Sequence, residues 1–231
     1  MCGRFSLTTA GPILADLFEV AEEDALVLAE WRARYNIAPT QSILAIRAAE
    51  GKRRADLLRW GLIPRWAKDP KAGPAPINAR ADTVAEKPMF KGLLKSRRAV
   101  VPADGFFEWQ KEGGKKLPRY FQLRDGGPFG IAALWESWRG PEQQIESVTL
   151  LTTEPNDLVA TVHDRMPAIL PPAAIAAWLD PETTDPARLV PLLAPFPAAL
   201  MRMTPVSTRV NVATVDDPDC VRPLGEQGEL L

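Results

Sequence analysis

The sequence predicts a single α+β domain that consists mostly of antiparallel β-sheet flanked by short helices. The first observation is the proline content: the 23 prolines in 231 residues are about twice the usual share, and proline interrupts helices and central strands. The second is that apolar runs are short and are separated by turn residues, as at Glu50-Gly51 and Glu112-Gly113-Gly114, which is typical of β-hairpins. No internal repeat or domain boundary is evident, so we predict one domain over residues 1–215 and an acidic tail over residues 216–231.

Short apolar or alternating runs mark the strands. Residues 2–7 predict a first strand with Phe5 and Leu7 on one face. Residues 35–41 form a turn-forming stretch ahead of the next strand. The remaining strands are predicted at residues 43–46, 57–64, 99–102, 105–110, 119–123, 129–135, 147–153, 168–170, 201–206 and 210–212.

Few helices are predicted, and each is short. Thr8 and Thr9 are suited to cap a first helix, whose apolar face is expected to carry Ile13, Leu14, Leu17 and Phe18. The acidic residues at 19–24 are expected to form its solvated end. Small residues after Asn78 indicate the start of another helix. Further helices are predicted at residues 88–98, 156–162, 174–179 and 187–193.

The composition is that of an ordinary soluble globular chain and excludes several classes of function. A formal net charge of −1 gives no overall basic field, so any anion must be bound by a local cluster. No apolar run approaches the roughly 18–20 residues of a membrane span, and no signal peptide is evident, so we expect a cytoplasmic protein. Two cysteines and one histidine cannot assemble a usual zinc site, and we expect neither a metal nor a cofactor.

Cys2 is the first candidate for chemistry, because a small residue at position 2 permits removal of Met1. The mature chain would then begin with a 1,2-aminothiol, whose amine titrates near ~7.7–8.0 and whose thiol titrates near ~8.5. Both groups can attack one aldehyde in turn, which gives an imine and then a five-membered thiazolidine. The alternative is that Cys2 is one of the small residues that commonly follow a start methionine.

Glu108 and His163 are candidates for proton transfer. Glu108 lies between aromatic residues in a predicted strand, and burial there would raise the pKa of its carboxyl, as a general acid requires. The alternative is a glutamate on an edge strand that faces water. His163 is the sole histidine and lies in a polar His-Asp-Arg turn, which favours a catalytic role more than an apolar surrounding would.

Six short motifs occur together in the chain and in one order. They are Met1-Cys2-Gly3-Arg4-Phe5, Tyr35-Asn36-Ile37-Ala38-Pro39-Thr40, Arg59-Trp60-Gly61-Leu62-Ile63-Pro64, Asn78-Ala79-Arg80-Ala81-Asp82, Gly105-Phe106-Phe107-Glu108-Trp109 and His163-Asp164-Arg165-Met166-Pro167. From residue 1 to about residue 212 the chain thereby resembles the SRAP family, the SOS-response-associated peptidases. These proteins link covalently to abasic sites in single-stranded DNA and shield them. The resemblance also implies that the sheet forms a barrel-like core.

The resemblance implies a role for each matching residue. Cys2 would be the nucleophile after Met1 is removed, with its amine positioned by Asn78. Glu108 would shuttle protons, and His163 would assist opening of the deoxyribose to its aldehyde. Phosphates and bases of the DNA would be contacted by Arg4, Arg80 and Arg165, by Trp66 and Trp109, and by the loop from Asn36 to Pro39. The expected partner is single-stranded DNA with an abasic site, bound by a monomer that is associated with the nucleoid when the DNA is damaged.

Two other functions remain open at this point. An N-terminal cysteine with Glu108 and His163 could carry acyl chemistry as a cysteine-type peptidase, confined in one version to removal of its own Met1. Within the covalent reaction itself, a lyase activity would follow if the imine eliminated at the 3′ phosphate. The second alternative is a non-covalent module that binds single-stranded DNA through its arginines and tryptophans.

Overall fold

Two β-sheets form most of the protein in the computed structural model, which describes residues 2–21, 26–73 and 75–225. The predicted α+β class is confirmed. The strands are β1 (Phe5–Leu7), β2 (Arg34–Ile37), β3 (Ser42–Ala49), β4 (Lys52–Trp60), β5 (Asn78–Arg80), β6 (Arg98–Ala103), β7 (Gly105–Glu112), β8 (Lys115–Leu123), β9 (Phe129–Arg139), β10 (Gln144–Thr153), β11 (Met166–Pro167), β12 (Ile169–Leu170) and β13 (Met201–Pro205).

Short helices flank the sheets, as the proline content predicts. The α-helices are α1 (Gly11–Phe18), α2 (Leu26–Ala29), α3 (Lys91–Ser96), α4 (Asp157–Ala160), α5 (Pro172–Leu179) and α6 (Pro186–Leu189). Single 3₁₀ turns follow at Val190–Leu193, Ala198–Leu200, Thr208–Asn211 and Pro218–Cys220.

The larger sheet closes into a barrel. Its strands follow the order β4-β3-β6-β9-β10, and β10 pairs both with β9, antiparallel, and with β4, parallel. This closure satisfies the backbone groups that an open edge would leave exposed. The β3–β4 hairpin turns at Glu50 and Gly51, whose φ angles are 53° and 77°, as in the tight turns that suit twisted strands. The predicted barrel-like core and this hairpin are therefore confirmed.

The smaller sheet is antiparallel, with the order β13-β8-β7-β1-β2. Its β7–β8 hairpin turns at Gly113 and Gly114, as predicted. Gly105 begins β7 beneath the Tyr120 ring, where an added Cβ would lie 2.5 Å from a ring carbon. Tyr120 in turn reaches across the sheet to Ser6, with 2.5 Å between the two hydroxyl oxygens. This sheet therefore needs a residue without a side chain at position 105.

Aromatic packing fixes the first strand against the barrel. The Phe5 ring meets the Trp60 ring edge to face, with centroids 5.3 Å apart, and both side chains are fully buried. Each large apolar side chain stabilises the fold by roughly 1.5–3 kcal/mol when buried, and edge-to-face rings add to this. Since β1 directly follows the candidate nucleophile, the same contacts limit where Cys2 can lie.

The capping prediction for the first helix is wrong. Ala10 is the N-cap of α1, without a side-chain hydrogen bond. Thr8 and Thr9 instead donate their hydroxyls to the Asp104 carboxylate at 2.7 and 2.6 Å, because a charged acceptor forms a stronger hydrogen bond than a backbone group. The predicted apolar face is only half correct: Leu14 and Phe18 are buried, whereas Ile13 and Leu17 are exposed.

Three further local predictions are corrected by pairing between distant residues. The stretch predicted as a turn at 35–41 contains the end of β2, which pairs with β1. Asn78 begins strand β5 and not a helix, because it pairs in parallel with Leu150 of β10. Residues 210–212, predicted as a strand, overlap the 3₁₀ turn Thr208–Asn211. The acidic stretch at 19–24 lies partly outside the described residues.

The described part of the predicted acidic tail, residues 216–225, packs against the smaller sheet. The Asp216 carboxylate accepts hydrogen bonds from the backbone nitrogens of Tyr35 and Asn36, at 2.5 and 2.9 Å, and pairs with Arg34. Cys220 is fully buried nearby. The domain boundary at residue 215 stays a prediction.

A glycine-to-alanine pair tests the packing beneath Tyr120. Gly105→Ala should lower the free energy of unfolding by about 1–3 kcal/mol, because the new methyl group must displace a buried ring. Gly92→Ala in α3 is the matched control, since no atom lies within 4 Å of the added Cβ; alanine there should be neutral or stabilise by roughly 0.5–1 kcal/mol. Urea unfolding measures both, and equal effects would contradict the close approach at Gly105.

Candidate functional site

Cys2 lies buried three residues before the start of β1 at Phe5. Its thiol Sγ is 3.8 Å from the Arg4 backbone oxygen, and the residue has no exposed surface. Burial raises the pKa of the Cys2 thiol well above its ordinary value, and the negative charge of Glu108 raises it further. The thiol is therefore held in its neutral form near pH 7. Met1 lies outside the described residues.

Asn78 contacts the backbone of Cys2. Its side-chain Nδ2 donates a hydrogen bond of 2.9 Å to the Cys2 carbonyl oxygen. Its Oδ1 is buried and has no hydrogen-bond partner among the described residues. An acceptor that is buried without a partner costs free energy, because it has lost its hydrogen bonds to water. The parallel pairing of β5 with Leu150 and Leu151 of β10 sets the position of Asn78.

Glu108 lies beside the same segment. Strand β7 pairs with β1 at Phe5 and Phe106, and the Phe107 nitrogen donates to the Arg4 oxygen at 3.0 Å. Glu108 is only 3% exposed, so the alternative of an edge glutamate that faces water is wrong. Burial raises the pKa of the Glu108 carboxyl, and the positive charge of His163 partly offsets this.

His163 follows α4, which is capped by the Asn156 side chain. Its Nδ1 lies 3.1 Å from the backbone nitrogen of Arg165 and 2.9 Å from an oxygen of Asp164. Both contacts are made by the same ring nitrogen, so the turn fixes the position of the imidazole.

The predicted catalytic residues surround Cys2 from two sides. A cavity of about 430 Å³ is lined by Glu108, Trp109, Lys111, Lys116, His163 and Asn211. A second cavity of about 820 Å³ contains Asn78 and Arg80 and is otherwise mostly apolar, with Trp66 on its wall. Cys2 lines neither cavity, but each cavity includes a residue that acts on it: Glu108 through its charge and Asn78 through a hydrogen bond.

The three arginines predicted to hold phosphates have different surroundings. Arg4 is partly buried, and its Nη1 donates to the Asn36 Oδ1 at 2.7 Å and to the Val210 oxygen at 2.5 Å. Arg80 is exposed and pairs with Asp82 at 2.6 Å. Arg165 is buried, donates to the Thr152 oxygen at 2.6 Å and lies 3.6 Å from Asp82. A phosphate near Asp82 would therefore compete with that carboxylate for two arginines.

The side chain of Asn36 is enclosed by the protein, and the contact of its loop with DNA stays a prediction. The residue is fully buried, and its Nδ2 donates to the backbone oxygens of Val210, Val212 and Val215 at 3.3, 3.1 and 2.6 Å. Its Oδ1 accepts from Arg4. Asn36 thus ties Arg4 to the C-terminal segment, and a buried amide with four partners has no donor left for DNA.

The residues predicted to contact bases differ in exposure. Trp66 is 64% exposed, whereas Pro39 and Trp109 are half-buried. Trp109 donates its Nε1 to the Asn211 Oδ1 at 2.7 Å, and the Arg4 guanidinium lies 5.9 Å from its ring centroid. The sequence did not indicate Asn211, since its contact depends on a segment that folds back from the far end of the chain.

Within residues 2–21, 26–73 and 75–225, no cluster of three or more His, Cys, Asp or Glu side chains could hold a metal ion. Over the same ranges, no helix has the length and apolar character that a bilayer span requires.

Comparisons with known proteins agree with the motifs. The family model described as SOS response associated peptidase (SRAP) matches residues 1–213. The Bacillus subtilis "Abasic site processing protein YoqW" is 41% identical over 223 residues, which are 96% of this chain and 99% of that protein. The Escherichia coli "Abasic site processing protein YedK" is 36% identical over 79% of this chain and 81% of its own. A crystal structure of a Bacteroides thetaiotaomicron protein superposes with a TM-score of 0.85 at 25% identity and covers 96% of this chain and 100% of that one.

The raised pKa of Glu108 predicts how its replacement affects stability. The pKa of the Glu108 carboxyl in the folded state lies above its ordinary value of 4.5. The free energy of unfolding of the protein therefore falls as the pH rises above that value. Glu108→Gln should therefore have a higher melting temperature than the wild type near neutral pH, and the difference should disappear below about pH 4.

The control is Glu112→Gln, which alters an exposed glutamate of the same strand. Melting curves between acid and neutral pH would contradict the assignment if Glu108→Gln and Glu112→Gln followed the same pH dependence.

Proposed function

Because the chain belongs to the SOS response associated peptidase family, we propose that it processes abasic sites in single-stranded DNA by linking to them through Cys2. Relatives that align with nearly all of this chain are named abasic site processing proteins. The observation that carries the proposal is the set of contacts at the start of β1. Asn78 holds the Cys2 carbonyl, and a buried Glu108 lies close enough to change the pKa of the Cys2 thiol.

The proposed reaction joins the Cys2 residue to the sugar without any change of oxidation state. The α-amine, freed by loss of Met1, adds to the aldehyde carbon C1′ of the ring-opened deoxyribose. The carbinolamine is protonated on its hydroxyl and loses water, which leaves an imine. The thiol sulfur then forms a bond to the imine carbon while its proton passes to the nitrogen, and a thiazolidine results. One C–N and one C–S bond form and one water leaves, so the reaction needs no cofactor.

The buried side chains supply positioning and protons. The raised pKa of the Glu108 carboxyl favours its protonated form, which would donate to the departing hydroxyl of the carbinolamine. The unpartnered Oδ1 of Asn78 would accept a hydrogen bond from the Cys2 amine and direct its lone pair at C1′. His163 at the mouth of the smaller cavity would exchange a proton with the sugar as its ring opens.

Binding of the strand would be independent of sequence. Phosphates on either side of the lesion would be held by Arg4, Arg80 and Arg165, and such contacts carry no base preference. Bases would stack on the exposed Trp66, on the half-buried Trp109, and beside Pro39. Of these residues, Trp66 and Arg80 line the larger cavity and Trp109 lines the smaller one. Monomeric action in the cytoplasm, at damaged sites of the nucleoid, is part of the same proposal.

A general cysteine peptidase is supported less well. Such enzymes attack with a thiolate, which requires a lowered pKa, whereas the pKa of the Cys2 thiol is raised by burial and by Glu108. A neutral thiol still suits the second step of the trap, because it adds to an activated imine. Removal of its own Met1 and a lyase reaction through the imine are side reactions of the proposed site.

Crosslinking to a defined oligonucleotide tests the proposal against both alternatives. The wild type should give a stable adduct with a single-stranded oligonucleotide that carries one abasic site, and none with an intact strand. Cys2→Ala should lose this stable adduct almost completely, and any remaining adduct should be an imine that borohydride reduces. The measurement is the yield after denaturation, with and without borohydride.

Cys220→Ala is the matched control, because Cys220 is the other cysteine of the sequence and is likewise buried. This variant should crosslink as the wild type does. A borohydride-independent adduct of undiminished yield in Cys2→Ala would contradict the role of the thiol. Equal yields with abasic and intact strands would contradict the specificity for abasic sites.

A further inference from the structure

We propose that Lys111 and Lys116 form a phosphate-binding site on the β7–β8 hairpin, which holds the DNA backbone as it leaves the Cys2 site. The inference rests on the proposed function for the identity of the ligand. The site itself is indicated by the register, the charge and the cavity contacts of the hairpin.

The strand register places two like charges face to face. Lys111 pairs directly with Lys116, and Trp109 pairs with Pro118 two residue pairs further along the same hairpin. Because side chains alternate along a strand and paired residues share a face, Trp109, Lys111 and Lys116 lie on one side of the hairpin. That side thus carries an aromatic ring followed by two ammonium groups, the combination that binds a base together with its phosphate.

Neither ammonium group is neutralised. Among the residues that the structure describes, the side chains of Lys111 and Lys116 make no hydrogen bond or ion pair. The neighbouring charge on the hairpin is paired instead: Arg119 donates to the Gln110 Oε1 at 2.7 Å and meets Glu112 at 3.3 Å. Like charges that face each other across a hairpin are destabilising. An anion bound between the two lysines would remove that repulsion.

The cavity connects these lysines with the candidate chemistry. Lys111 and Lys116 line the same space of about 430 Å³ as Glu108, Trp109 and His163, a volume typical of small-ligand sites. The other cavity is lined by Arg80 and by Asn78, which bonds to Cys2. A strand that passes over Cys2 would therefore have arginine at its phosphates on one side and this lysine pair on the other.

The test combines a double variant with a matched control. Lys111→Ala/Lys116→Ala removes both ammonium groups, whereas Lys115→Ala removes the same kind of charge from the hairpin at a position that faces Glu112 and does not line the cavity. Binding of a fluorescent single-stranded oligonucleotide with intact bases is measured by anisotropy at several salt concentrations. Crosslinking of the abasic oligonucleotide is measured at limiting and at saturating DNA.

The double variant should bind about fivefold to tenfold more weakly, and the slope of log affinity against log salt should fall by about 1. Its crosslinking should slow at limiting DNA and be unchanged at saturation, because the lysines bind the strand and do not react. Lys115→Ala should match the wild type. Equal losses in the double variant and in Lys115→Ala would overturn the site, since they would show only a general effect of charge.

Neutral linkages in the oligonucleotide locate the phosphate. A methylphosphonate at one linkage beside the lesion should weaken binding to the wild type and leave binding to the double variant unchanged; no such difference at any flanking linkage would overturn the proposal. The two hypotheses fail separately. If no protein crosslinks but the lysine effects on anisotropy persist, the covalent function is wrong and the lysine site stands.

Discussion

The attachment of β1 to the rest of the fold is the constraint on which the candidate site depends. Phe5 packs against Trp60 of the barrel, and β1 pairs with β2 on one side and with β7 on the other. A chain terminus is ordinarily its least ordered part, whereas Cys2 is buried and its carbonyl is bonded to Asn78. Fixing the first described residues in this way holds Cys2 beside Asn78 and Glu108, as the proposed reaction would require.

Burial of Cys2 and Glu108 together favours one order of chemical events. Both groups have raised pKa values, mainly because burial disfavours their charged forms. A protonated carboxyl can release water from a carbinolamine, and a neutral thiol does not compete with the amine for the aldehyde. In the proposed reaction, amine attack would therefore come first and ring closure second. The same burial disfavours the thiolate that acyl transfer would need.

The sequence predicted those parts of the fold and site that depend on local chemistry. Turn residues marked both hairpins, and the aromatic neighbours of Glu108 correctly indicated its burial. The sequence did not predict the features that depend on pairing between residues far apart in the chain. Asn78 was expected to begin a helix, but its strand is formed by pairing with β10. Asn36 was expected to contact bases, but carbonyls from the C-terminal segment enclose its amide. No local pattern specifies contacts between residues so far apart in the chain.

The claim that the amine and the thiol of one terminal residue trap the abasic aldehyde is tested most directly by the intact mass of the DNA-linked protein. The adduct should have the mass of the chain without Met1, plus that of the oligonucleotide, minus one water. A stable adduct whose protein still carries Met1 would contradict the account, since the blocked amine could not form the ring.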